Sequence, residues 1–245
     1  MITLRKLLSL GALSLWAALI LTAFGSAPSA GKLGLNTALR LLLLPLAVTF
    51  AGILRERAWG RWLGLAGALA VLPWSVAYLS TEGPRPPMGR AWLAFAAAAV
   101  LLAGLSGRAM LKRFEGPEAS RPLPPGPGRL VRWTLIGNIA AAIVLYVFVA
   151  AYEYQAAWRI LIPGVLLGCL IVGVLLLGLG KTLGLLLVGA GCILFVPAGL
   201  YFVRAEAASA GEGVLFAVVM LPGVLMGWVT LLAFARPMGR LLLRK

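Results

Sequence analysis

Few side chains in this 245-residue chain could carry out chemistry. Its seven acidic residues are all Glu, and Asp and His are absent. This composition excludes a zinc–histidine set, an axial haem histidine, a Ser-His-Asp triad and a paired-aspartate site. Cys169 and Cys192 lie in apolar stretches, and we interpret them as small buried residues. We therefore predict no catalytic residue, no metal site and no cofactor.

Four residues are candidates for a binding or packing role. Arg40 and Arg159 lie at equivalent outer positions of two helical halves, where they would hold an anionic lipid headgroup or solute. The alternative is that each is an anchor whose side chain snorkels to the headgroups. Asn138 is predicted to bond to a neighbouring helix or contact a ligand. Glu153, six residues before Arg159, would pair with it across a short outer loop.

Two further patterns give no chemical site. The sequence Gly178-Leu179-Gly180-Lys181-Thr182 resembles the end of a phosphate loop, but Leu175 stands where that pattern requires Gly and no strand precedes it. We interpret it as a helical turn. All seven Glu residues fall between the apolar stretches, which disfavours ion coupling through a carboxylate at the membrane midplane.

The elements that position these residues follow from composition. The chain is 62% hydrophobic and only 12% charged, more apolar than one soluble core of this size requires. About 20 apolar residues cross a bilayer as a helix, so we predict an all-α integral membrane protein of about eight transmembrane helices. The predicted spans are Leu7–Phe24, Asn36–Leu54, Trp62–Leu79, Ala91–Gly107, Trp133–Tyr152, Ile160–Leu179, Thr182–Val203 and Gly213–Ala235.

The sixth and seventh spans form one long apolar run, which Gly178, Gly180 and Lys181 divide into a helical hairpin. Basic residues set the orientation, because placing both termini in the cytoplasm puts sixteen of the 22 Lys and Arg residues on that side. Aromatic residues at span ends are predicted to sit between lipid tails and headgroups, namely Trp62, Trp92, Trp133, Trp158, Tyr78, Tyr152 and Tyr201.

The first span has an alternative interpretation as a cleaved secretory signal. Arg5 and Lys6 precede its apolar stretch, and Gly25-Ser26-Ala27 follows it. We prefer a retained span, because the stretch is long for a signal peptide and its loss would leave an odd number of helices.

A stretch rich in Pro and Gly, residues 114–130, is predicted to be a non-helical cytoplasmic linker between a first half, 1–113, and a second half, 131–245. The halves share landmarks: Gly60-Arg61-Trp62 parallels Gly180-Lys181-Thr182, and Pro45 parallels Pro163. Two four-helix halves of even span number form a parallel pseudo-repeat. The arrangement predicts a groove between the halves.

Small residues spaced four apart predict close contacts between the helices in lipid. The pairs are Gly164 with Gly168, Gly180 with Gly184, Gly223 with Gly227, and Gly137 with Ala141. Such pairs indicate tight packing and carry no information on activity.

These observations favour a non-catalytic scaffold or accessory subunit, with membrane lipids and other membrane subunits as partners and without nucleic acid. The alternative is a permease or flippase for a lipid-like, neutral or anionic solute that uses the groove between the halves. An enzyme comes third, because it would have to rely on Glu, Arg, Tyr or Cys near the membrane surface, with Glu153, Tyr152 and Arg159 together as its best candidate. The composition is typical of proteins of the cytoplasmic (inner) membrane of a bacterium, and we predict this location.

Overall fold

The computed structural model describes residues 2–22, 39–81, 88–115, 128–151, 157–179, 181–206, 221, 223–233 and 235. Every regular element in these residues is a helix, as the sequence predicts. The helices are α1 Ile2–Thr22, α2 Leu43–Leu54, α3 Ala58–Thr81, α4 Met88–Leu105, α5 Arg108–Phe114, α6 Gly128–Ala151, α7 Ala157–Gly178, α8 Leu183–Glu206 and α9 Gly223–Ala233.

Three of the described helices are long and apolar enough to cross a membrane: Thr3–Thr22, Leu161–Gly178 and Leu183–Tyr201. A fourth crossing results if α4 and α5, joined by a sharp bend, count as one span. The other apolar helices, Leu39–Leu54, Ala58–Leu72, Arg132–Val147 and Gly223–Ala233, are shorter over the described residues. The eight predicted spans therefore stay a prediction.

The chain divides into two compact units. The first comprises Met1–Ser120 with Ala150–Tyr154, and the second comprises Arg121–Val149 with Gln155–Lys245. The predicted linker, residues 114–130, is too long at both ends, because Phe114 closes α5 and Gly128 opens α6. Its prolines end at Pro127, so nothing prevents a helix from starting directly after it.

In the first unit, α3 packs against α2 and α4, and α1 packs against α4 and α2. After Arg61, helix α3 is apolar around its circumference as far as Pro73, and Leu65, Ala66 and Ala68 are fully buried there. An all-round apolar helix is expected at the centre of a bundle. Between α1 and α4, the indole of Trp16 donates to the carbonyl of Ala94 at 3.2 Å.

Helix α2 ends in a Schellman turn. The N–H of Glu56 donates to Ile53 O at 3.1 Å, and the N–H of Arg57 donates to Gly52 O at 2.8 Å. Glu56 has a φ of 55°, the left-handed conformation that this motif usually gives to Gly. A non-glycine residue there costs about 1–2 kcal/mol, so the side chain of Glu56 must offer compensation.

The connection between α4 and α5 is a sharp bend. Gly107 has a φ of 98°, and the axes of α4 and α5 meet at 75°. Met110 and Phe114, four residues apart on one face of α5, are fully buried in the first unit. The sequence-based span Ala91–Gly107 did not include this additional short helix.

In the second unit, α7 and α8 form the hairpin that the glycines and Lys181 predict. Helix α7 ends at Gly178 and α8 begins at Leu183. The N–H of Lys181 donates to Leu176 O at 2.8 Å. This bond joins residues five positions apart, as does the Arg57–Gly52 bond after α2. Prolines 163 and 197 lie inside these two helices.

Glycines set the closest helix contacts in both hairpins. A Cβ on Gly60 would lie 2.6 Å from Gly52 Cα, and one on Gly184 would lie 2.5 Å from Gly173 O. A Cβ on Gly168 would meet no described residue within 4 Å, so among these residues the Gly164–Gly168 pair does not form the tight α7 contact that its spacing predicts. The contact lies instead at Gly173, on a different face of the helix.

Candidate functional site

The most concentrated polar site in the first unit is a buried ion pair. Arg61, in the first turn of α3, is 5% exposed, and Glu115, directly after α5, is 9% exposed. A guanidinium nitrogen of Arg61 donates to Glu115 Oε1. The bend after α4 directs α5 back toward the start of α3, which brings together two residues 54 positions apart in sequence.

Two further hydrogen bonds fix this pair. The indole Nε1 of Trp62 donates to Glu115 Oε1 at 2.7 Å, and Nε of Arg61 donates to the carbonyl of Leu105 at 2.9 Å. Leu105 is the last residue of α4, whose final carbonyls lack partners within the helix. A buried charge is costly unless it is paired and hydrogen-bonded, and these bonds meet that need for Arg61. Its guanidinium thereby joins α3, α4 and the end of α5.

A second, more exposed ionic group surrounds Glu56. Lys6 Nζ lies 2.7 Å from Glu56 Oε1, and Arg113 donates to Glu56 Oε2 at 2.7 Å and to Oε1 at 2.5 Å. The hydrogen bonds from Arg113 and then Lys6 lower the pKa of Glu56 to about 2. The same carboxylate raises the pKa of Arg113. These bonds account for a Glu in the strained left-handed position after α2.

These ionic groups gather at one end of the first unit. The beginning of α1, the α2–α3 turn, the start of α3 and the α4–α5 bend all contribute to it, and Arg5 donates to the carbonyl of Ser106 at 3.4 Å. We call this region the basic end. Its members are Arg5, Lys6, Arg55, Glu56, Arg57, Arg61, Arg108, Lys112, Arg113 and Glu115.

The second unit contains uncharged polar contacts between its helices. Asn138, on α6, is fully buried and its Nδ2 donates to the Sγ of Cys192, on α8, at 2.9 Å. One turn earlier on α6, Thr134 accepts a hydrogen bond from Thr230 of α9 at 3.1 Å. Gly227 lies next to Asn138, since a Cβ there would be 3.6 Å from the amide nitrogen.

The four sequence-predicted site residues have different outcomes. Asn138 bonds to Cys192 on a neighbouring helix. Its Oδ1 is buried and has no hydrogen-bond partner among the described residues. Arg40 is exposed just before α2, in the first unit. Arg159 belongs to the first turn of α7 in the second unit, and its side chain lies outside the described part of the chain. Glu153 lies outside the described residues.

Three interpretations from the sequence need correction. Trp62 is predicted to sit at the lipid interface, yet it is 3% exposed and its indole bonds to Glu115, whereas Trp92 and Trp133 are exposed. The sequence assigns Arg61 and Glu115 to cytoplasmic segments without a site, yet they form the buried pair. Cys169 is only partly buried, while Cys192 is buried.

The charged site of the first unit and the amide of the second both bond between helices. An arginine that is fully charged at any physiological pH can bind a carboxylate or phosphate but cannot act as a base. Among the described residues, no group of three His, Cys, Asp or Glu side chains is placed to hold a metal ion. No protein-family model, no curated protein and no solved structure matches this chain.

Proposed function

We propose that this chain is a multi-pass protein of a bacterial cytoplasmic membrane, with about eight spans in two four-helix halves, that acts as a non-catalytic scaffold or accessory subunit. The observation that carries this proposal is that buried polar groups of the chain bond to one another. The guanidinium of Arg61, the carboxylate of Glu115 and the amide nitrogen of Asn138 all bond between helices, where they hold the chain together.

The outward-facing side chains support immersion in lipid. Large apolar residues are exposed on helices of both units, including Leu7 of α1, Trp92 of α4, Leu161 of α7, Leu200 of α8 and Leu232 of α9. Without a bilayer or partner helices, such surfaces would drive aggregation. They are suited to lipid tails and to the apolar helices of other subunits.

Two observations support the finer topology. The described helices include three long spans, one bent pair and four shorter apolar helices, which together correspond to the eight predicted segments. The basic end collects the segments that the charge distribution assigns to the cytoplasm: the chain start, the α2–α3 turn and the start of the linker. An even number of spans per half then gives both halves the same orientation.

The internal duplication draws support from the two hairpins. In each of the hairpins α2–α3 and α7–α8, the two helices approach closely at a glycine in each helix. The turn between the helices contains in both cases a backbone hydrogen bond between residues five positions apart. We retain the parallel pseudo-repeat on this basis. The scaffold or subunit role does not require a groove between the halves.

A test of the topology combines extraction with labelling. The protein should stay in the membrane pellet after carbonate washing. In a chain with Cys169→Ala and Cys192→Ala, single cysteines introduced at Arg108 and near the C-terminus should react with a membrane-impermeant thiol reagent only from the cytoplasmic side. Reaction of these two positions from opposite sides would overturn the eight-span scheme.

The subunit role requires a separate measurement. Purification in several mild detergents, followed by native mass spectrometry, should recover the chain in a complex of defined composition larger than one copy. The interaction should weaken when an exposed apolar residue such as Leu232 is replaced by a charged one. Recovery as a lone monomer in every detergent would contradict the role.

A permease or flippase that uses a groove between the halves is the second candidate, and the amide of Asn138 favours it. An acceptor oxygen that is buried in an apolar helix, with no hydrogen-bond partner in the described part of the chain, suits contact with a polar solute. If this candidate is correct, Asn138→Ala should reduce solute or lipid transport in reconstituted vesicles, and replacing Arg40 and Arg159 with Gln should lower it for anionic substrates. Unchanged transport in both variants would remove these residues from the mechanism.

A further inference from the structure

The basic end has more positive charge than its own two glutamates neutralise. Among the described residues it contains eight basic side chains and two glutamates. Both glutamates are already engaged: Glu115 by Arg61 and Trp62, and Glu56 by Lys6 and Arg113. The neutralising anions for the remaining basic groups must therefore come from outside this part of the chain.

Besides Arg5, which donates to the neutral carbonyl of Ser106, four basic side chains are left over: Arg55, Arg57, Arg108 and Lys112. All four are exposed, and none has an ion-pair partner among the described residues. Arg108 and Lys112 lie four residues apart on α5, so their Cβ atoms are neighbours on one helix face, at about 5–6 Å. Two like charges at that spacing destabilise a helix unless an anion lies between them.

The packing of α5 fixes the direction of this face. Met110 and Phe114 are fully buried in the first unit, so the helix cannot rotate without exposing them. Arg108 and Lys112 are consequently held outward. Because α5 meets α4 at 75°, a membrane-spanning α4 places α5 close to the plane of the membrane surface, at the depth of the lipid headgroups.

We propose that the basic end binds anionic phospholipids, with Arg108 and Lys112 of α5 contacting the phosphodiester and Arg55 and Arg57 adding to the positive field. This inference rests on the proposed function, because it needs α4 in a bilayer. A phosphodiester fits the chemistry, since guanidinium and ammonium groups both bind phosphate oxygens strongly. The cytoplasmic leaflet supplies such lipids, and each basic residue near its surface adds to the attraction.

The test measures lipid selectivity on the purified full-length protein. Native mass spectrometry after incubation with equal amounts of phosphatidylglycerol and phosphatidylcholine of the same acyl chains should show preferential retention of phosphatidylglycerol. Arg108→Gln and Lys112→Gln should each lower that preference about fivefold, and the double variant should lower it further. Arg90→Gln is the matched control, because Arg90 is an exposed arginine in the first turn of α4, at the opposite end of that helix.

Three further measurements distinguish a phospholipid surface from misfolding, from a free-phosphate site and from a response to net charge. The variant Arg108→Lys with Lys112→Arg keeps both charges and should keep the selectivity, which distinguishes lost binding from lost folding. Excess inorganic phosphate at constant ionic strength should leave phosphatidylglycerol bound, whereas full displacement would show a site for free phosphate and overturn the proposal. Equal losses in Arg108→Gln and Arg90→Gln would also overturn it, because they would indicate a response to net charge alone.

Failure of this inference and failure of the proposed function give different results. If the protein resists carbonate extraction but retains both lipids equally, the lipid surface is refuted and the membrane topology stands. If carbonate releases the protein, α4 does not span the bilayer and both proposals fail.

Discussion

In the first helical unit an arginine and a glutamate are buried together where α3, α4 and the end of α5 meet, whereas the buried polar contacts described in the second unit join uncharged groups. Arg61 is 5% exposed in the first unit, while Lys181, its counterpart in the predicted repeat, is exposed in the second. The same position in two similar hairpins thus has opposite environments. In this chain, the basic residue at the start of an apolar helix is buried where a later segment returns with a carboxylate.

The strongest test of this difference removes the negative charge of the buried pair. Glu115→Gln leaves Arg61 buried without a counter-charge, and we expect it to lower the free energy of unfolding by about 3–5 kcal/mol. Titration with a denaturing detergent in mixed micelles would measure the change. Replacing both Arg61 and Glu115 with Met should cost less than Glu115→Gln alone, since no unpaired charge remains.

The opposite result would break the comparison. If Glu115→Gln destabilises the protein no more than Lys181→Gln, the ion pair does not organise the first unit, and the two hairpins are alike in their energetics.

The glycine contacts should be equivalent in both units, which makes them a test of the predicted repeat. Gly60→Ala and Gly184→Ala each place a methyl group against the backbone of the partner helix, and each should cost about 1–3 kcal/mol. Gly168→Ala is the matched control on α7, because its methyl group would meet none of the residues that the structure describes within 4 Å. We expect it to be neutral or slightly stabilising. A cost for Gly168→Ala equal to that for Gly184→Ala would contradict the α7–α8 geometry.

The uncharged contacts of the second unit should contribute less than the ion pair of the first. Asn138→Ala and Thr230→Val should each lower the free energy of unfolding by about 0.6–1.7 kcal/mol, the range for hydrogen bonds between membrane helices. The same mixed-micelle titration measures both. Losses as large as that of Glu115→Gln would show that neutral and ionic contacts are equally important here.

The smallest expected effect is the pH dependence of Glu56. Its pKa is lowered in the folded state from 4.5 to about 2, so its stabilising contribution is complete above pH 4.5 and is lost as the pH falls toward 2. Because the group is partly exposed, the loss should be at most about 1 kcal/mol. Comparing unfolding of the wild type and Glu56→Gln across this range would measure it, and equal pH dependence in both proteins would exclude Glu56 as its source.

The sequence predicted the helical class and the hairpin at Lys181 because apolar length and a Gly-Lys turn are local signals. It could not predict the burial of Arg61. The same residue at the start of a span suits a headgroup contact or a buried pair, and only the path of the chain after Leu105 decides between them. Helix α5 was missed because its apolar face consists of two residues, Met110 and Phe114, within a strongly basic stretch.

The Asn138 contact shows the limit of sequence-based prediction for the second unit. An amide inside an apolar span must find a partner on another helix, and this need was evident from the sequence. The identity of that partner was not, since Cys192 offers only a weakly polar sulfur and was interpreted as a small apolar residue. The environment of the amide oxygen Oδ1 depends on the geometry of three helices at once.

The distance along the chain between Arg61 and Glu115 also orders the events of biosynthesis. Arg61 leaves the ribosome 54 residues before its carboxylate partner, and Trp62 precedes that partner by 53. During that interval the growing chain contains a cation that the finished fold buries, and water or headgroups must solvate it. The first unit therefore closes late, when residues just before the proline-rich segment emerge, and nascent chains that stop short of Glu115 are expected to lack its most buried charge contact.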